Sequence, residues 1–79
     1  VPKYPRLAKM LHVSGKVVVK ITVERNGGVI AAKAVSGPRL LRGAAVRAAR
    51  KAWFTPTSLS GHPVKVAGTI TYDFKLIFE

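Results

Sequence analysis

From Val64 to Phe78 the sequence alternates with hardly an interruption. Val64, Val66, Ile70, Tyr72, Phe74, Leu76 and Phe78 fall on one side of an extended chain. Lys65, Thr69, Thr71, Asp73, Lys75 and Glu79 fall on the other, with Ile77 the exception. About fifteen residues at roughly 3.3 Å each give a strand of about 50 Å, about twice the usual length. Such a strand needs a cover for its apolar face and a partner for each of its two hydrogen-bonding edges. Nothing after Pro63 interrupts it, because no further proline follows.

The partners come earlier in the chain. Pro5 to Leu11 suits a short helix opened by proline, with Leu7, Met10 and Leu11 as its apolar side, and Ser14-Gly15 breaks it. In GKVVVKITVERNGGV, Val17, Val19, Ile21 and Val23 alternate with Val18, Lys20, Thr22 and Glu24, predicting a strand with one buried and one mostly wet face. Asn26-Gly27 predicts a two-residue hairpin turn with positive φ at both positions. In the return strand, Gly28 to Ser36, Val29, Ala32 and Ala34 cannot share a face under strict alternation, which predicts a bulge or bend.

Gly37-Pro38 opens the main helix. Leu41, Ala44, Ala45, Ala48 and Ala52 form its predicted buried stripe, while Arg39, Arg42, Arg47 and Arg50 spread over the opposite side. Trp53-Phe54-Thr55-Pro56 ends it, and Thr57 to Pro63 is expected to be a loop turning at Gly61-His62-Pro63. The order helix, strand, strand, helix, strand predicts an α+β fold of two layers. A three-stranded antiparallel sheet in the order 2-1-3 carries both helices on one face. The third strand then lies at an edge, open along one side, and an edge this regular invites pairing.

Seventy-nine residues make one domain, 1–79, and the absence of cysteine excludes disulfides and thiolate metal sites. Val1 to Pro5 reads as the end of an extended linker, so the chain is expected to be a piece of something longer. Fourteen Lys and Arg against Glu24, Asp73 and Glu79 give a net charge of +11, which attracts polyanions. Three scattered carboxylates offer no acid/base pair, and His12 and His62 lie in separate loops, so neither an enzyme nor a metal site is expected. Ser58, Ser60 and His62 have no group to orient them as a triad, and no helix follows Gly27-Gly28 to make a phosphate loop. Tyr72 and Phe74 share the face of Val66 and Ile70, which assigns them to the core over a base-stacking platform.

PKYP before a short helix, then SGKVVVKITVERNGGV, AAVRAARKAWFTP, LSGHPVKV and a final alternating strand ending in aromatics follow one another over nearly the whole chain. In this order and spacing the sequence resembles the C-terminal domain of TonB-family energy transducers. One departure is that Ala52 stands where the family often has tryptophan; Trp53 comes one residue later, and Phe54 keeps the second aromatic position. The resemblance implies a periplasmic domain of an inner-membrane-anchored protein, without cofactor. It also implies capture of the TonB box of an outer-membrane transporter by strand addition, and force from a proton-driven motor complex reached through an N-terminal part.

The implied peptide-binding edge is Val66, Ala67, Gly68, Thr69, Ile70, Thr71, Tyr72, Asp73, Phe74 and Lys75, with accessory contacts from Pro2, Lys3, Tyr4 and Pro5. The same edge admits a strand-exchanged or edge-paired homodimer. A rival reading is a nucleic-acid- or anionic-envelope-binding module acting through Arg39, Arg42, Arg47 and Arg50. No specific nucleic acid is expected under the first reading.

Overall fold

The computed structural model describes residues 2–76. Helix α1 (Arg6–Met10) is followed by strands β1 (Gly15–Val23) and β2 (Val29–Ser36) and by helix α2 (Arg39–Arg50). Three further strands follow among the described residues: β3 (Thr57–Leu59), β4 (His62–Val64) and β5 (Val66–Phe74). The main sheet is antiparallel with the order β2-β1-β5, as the alternation and connection rules predict, and β3 and β4 form a separate two-stranded sheet.

Strand β1 is the centre of the main sheet because it pairs with β2 on one side and β5 on the other, and its alternate valines and isoleucine face the helices. Val17, Val19, Ile21 and Val23 are buried against Ala8 of α1, Leu41, Ala44, Ala45 and Ala49 of α2, and Phe74 of β5. Alanines let α2 sit close on the sheet. The stripe differs from expectation at one end. Leu41, Ala45 and Ala49 make an i, i+4 row that points at the sheet, whereas Ala48 is half-buried and Ala52 lies beyond the helix. On α1 the reversal is complete: Ala8 is the buried residue, and Leu7, Met10 and Leu11 are exposed. Five residues provide little more than one turn, so only the smallest side chain meets the core.

Strand β2 contains the predicted irregularity twice. Val18 faces Ser36 and Val19 faces Ala34, which leaves Val35 as an extra residue; Thr22 faces Ala31 and Val23 faces Val29, which leaves Ile30. The second insertion puts Val29 on the same face as Ala32 and Ala34, and all three pack against the core.

The hairpin turn is not the predicted one. Gly27 N–H donates to Glu24 O at 2.9 Å and Glu24 N–H to Gly28 O at 2.7 Å, so Arg25 and Asn26 are the central residues. Gly27 alone has positive φ, at +94°, and the Asn26 side chain accepts from Gly28 N–H at 2.9 Å. This extra residue is a glycine bulge, which allows a turn of ordinary hand to close the hairpin.

The two-residue turn with positive φ at both positions occurs instead at Ser60-Gly61, joining β3 to β4 within the segment expected to be a loop. Val64 therefore pairs with Thr57, and the long predicted strand divides at Lys65. Alternation reports that a chain is extended, not which neighbour it pairs with. The regular strand on the main sheet is nine residues, ending at Phe74. Lys75 and Leu76 are outside it, and the predicted continuation through Phe78 lies outside the described residues, as does Val1.

Candidate edge-strand docking site

Each residue of a strand turns its N–H and C=O to one side and its neighbours turn theirs to the other. Glu24 directs both backbone groups to the β2 side, toward Gly27 and Gly28. Counting back by twos, Thr22, Lys20 and Val18 face β2, and Val23, Ile21, Val19, Val17 and Gly15 face β5. Their unbroken partners on β5 are Val66, Gly68, Ile70, Tyr72 and Phe74, whose backbone groups are thereby taken by β1. Ala67, Thr69, Thr71 and Asp73 turn theirs away from the sheet, and among the described residues no strand pairs with that side.

The sheet has a second outer edge on β2, but the extra residues Ile30 and Val35 interrupt it. Bulges of this kind spoil the flat, even spacing that a docking strand needs. Of the main sheet's two edges among the described residues, the β5 edge is the one whose register is free of shifts.

Two recesses lie along β5. One, of about 500 Å³, is bounded by Pro2 and Tyr4 on one side and by Thr71, Tyr72, Asp73, Phe74 and Lys75 on the other. The other, of about 450 Å³, opens where α2 stops short of the sheet's end, among Ile21, Val23, Phe54, Thr57, Val66 and Gly68. A strand laid against β5 projects alternate side chains toward the helix-bearing face, where these recesses can take them. Sequence reasoning missed Ile21, Val23, Phe54 and Thr57 as site residues, because this recess depends on where a helix ends relative to a sheet. No local pattern reports that.

Of the residues expected to assist from the N-terminal segment, Tyr4 is the best fixed. Its hydroxyl donates to Val13 O, and its ring stands edge-on to Phe74 with centroids 5.5 Å apart and planes at 89°. Pro2 joins it beside β5, while Lys3 and Pro5 line a separate groove facing α2. Tyr72 and Ile70 are half-buried and pack on the core, and Phe74 is buried within it. Burial pushes the Tyr72 phenol above its ordinary value. These side chains hold β5 in place, and its backbone presents the edge.

The four arginines of α2 do not act as one surface. Arg42 Nε donates to Gly37 O at 2.8 Å, tying it back to the start of the helix. Arg47 lines the groove with Lys3, Arg6 and Lys51, and Arg39 and Arg50 are exposed. Trp53, displaced by one position from the family pattern, is 72% exposed, with its ring over Gly28.

A family model described as Gram-negative bacterial TonB protein C-terminal matches residues 1–76. No curated protein matches the chain. The protein belongs to the family of TonB C-terminal domains.

Proposed function

We propose that this TonB-family domain captures the TonB box of outer-membrane transporters by strand addition on β5. It then passes on a pull derived from the proton gradient, and so drives nutrient uptake from the periplasmic side of the envelope. Family membership supports a TonB-like role in general. The observation that carries the specific reading is the outward row of backbone groups at Ala67, Thr69, Thr71 and Asp73 on an edge without bulges.

An added strand gains several main-chain hydrogen bonds, each worth roughly 0.5–1.5 kcal/mol net. Backbone bonding tolerates varied peptide sequences, which suits one transducer serving several transporters. Bonds lying across the pulling direction are loaded together in shear, so a modest affinity transmits force. The motor complex and the inner-membrane anchor belong to this proposal through the family, and no catalytic step is assigned to the domain.

The test is titration calorimetry with a synthetic TonB-box peptide from a transporter. Thr71→Pro removes an outward N–H without touching the bonds to β1, and is expected to abolish detectable binding. A peptide N-methylated at alternate amides tests the same bonds with the protein unaltered, and one of its two methylation registers is expected to lose binding. Full-strength binding of both methylated peptides overturns the proposal.

A further inference from the structure

The groove between the N-terminal segment and α2 is separate from the β5 edge. It measures about 460 Å³ and is lined by Pro2, Tyr4, Ala44 and Ala48 together with four cations, Lys3, Arg6, Arg47 and Lys51. No carboxylate lines it. The described carboxylates are engaged elsewhere: Glu24 Oε1 accepts from Arg25 N–H, and Asp73 Oδ2 lies 3.7 Å from Lys75 Nζ. Four like charges gathered in a concave site with no counter-charge among the described residues call for an external anion.

Its neighbour narrows the kind of anion. At about 100° per residue, Arg6, Met10, Leu7 and Leu11 follow one another round α1 and its last turn, and the buried Ala8 comes next after Leu11. Leu7, Met10 and Leu11 are 53%, 69% and 60% exposed. An apolar arc therefore begins where the cationic groove ends, with Arg6 belonging to both. A water-facing nucleic acid or a soluble phosphate gains nothing from that arc. A bilayer surface uses both parts, with head-group charge on the cations and acyl-chain boundary on the apolar side chains.

We propose that the Lys3/Arg6/Arg47/Lys51 groove and the Leu7/Met10/Leu11 arc together dock this domain on a membrane surface rich in anionic lipid. Aliphatic ridge and basic groove act as one unit, because an apolar contact of three side chains is weak alone and a charge contact alone is screened by salt. Pro2 and Tyr4 border both this groove and the recess beside β5, so the docked domain keeps its strand edge within reach of the same surface.

Vesicle flotation with the 79-residue chain tests this, using phosphatidylcholine vesicles with or without phosphatidylglycerol. Binding is expected only with phosphatidylglycerol. Leu7→Ser/Met10→Ser/Leu11→Ser is expected to abolish it. Arg6→Gln/Arg47→Gln/Lys51→Gln is expected to weaken it by about fivefold per charge removed. Lys20→Gln/Lys33→Gln/Lys65→Gln, which removes equal charge elsewhere, is expected to weaken it less.

Equal effects of the two charge sets, unchanged binding of the serine variant, or equal binding to neutral vesicles each overturns the proposal. So does binding to purified peptidoglycan with none to vesicles. Should a triple variant fail to melt cooperatively, Met10→Cys provides the only cysteine in the chain for an environment-sensitive dye. A blue shift on phosphatidylglycerol vesicles is expected, and its absence overturns the proposal.

Discussion

Gly27 and Gly68 would respond in opposite ways to a single added methyl group. At Gly27 φ is +94°, and a Cβ would stand 2.0 Å from Phe54 O, whose own residue donates its N–H to Gly27 O at 2.8 Å. Gly27→Ala is expected to destabilise the domain by at least about 1–2 kcal/mol from the left-handed backbone alone. At Gly68 a Cβ meets nothing within 4 Å and φ is ordinary, so Gly68→Ala is expected to stabilise by about 0.5–1 kcal/mol. Urea unfolding of the two variants checks both signs. Tyr72 offers a further residue-scale measurement. Burial raises its pKa when folded, so the unfolded chain loses this proton first, and stability falls as pH rises through and above about 10. Tyr72→Phe is expected to leave the melting temperature's dependence on pH unchanged near neutrality and make it shallower at alkaline pH.

At the scale of elements, the fold was legible wherever a residue's period and its burial agree. β1 alternates between core and outer face, so its residues report which face is buried, and the connection rule places it at the centre. Its turn, however, closes on Arg25-Asn26 and not on Asn26-Gly27 as expected. Val29, Ala32 and Ala34 reported a bulge because their spacing contradicted their common need for cover. Three further features were not legible. Val64 belongs to β4 because of Thr57, a partner that its own alternation cannot identify. Leu7, Met10 and Leu11 suit a buried side, yet five helical residues bring only Ala8 to the core. The choice between Thr71 and Tyr72 as the outward residue needs the absolute phase of the ladder, which Glu24's bonds to Gly27 and Gly28 supply. That phase makes a testable distinction between adjacent residues. Thr71→Pro is expected to melt within a few degrees of the parent, whereas Tyr72→Pro loses a bond to β1 opposite Val17 and is expected to lose cooperative unfolding. Thermal denaturation followed by circular dichroism separates them.

For the whole molecule, a net charge of +11 and the bulge-free edge of β5 pull against each other. Two copies pairing through β5 satisfy the same backbone groups as a captured peptide, but bring two strongly cationic bodies together. Self-association is therefore expected to rise with salt, which screens the repulsion, and to fall when TonB-box peptide is added. Analytical ultracentrifugation across both titrations is the check; a dimer indifferent to peptide would have to use another surface. The Tyr4 clasp on Val13 and Phe74 carries its own mechanical consequence. A tug applied at Pro2 enters the domain next to the far end of the very strand that would hold the cargo. On the proposed reading, tow line and hook would be fastened side by side, with the Tyr4 ring against Phe74 as a direct contact between them.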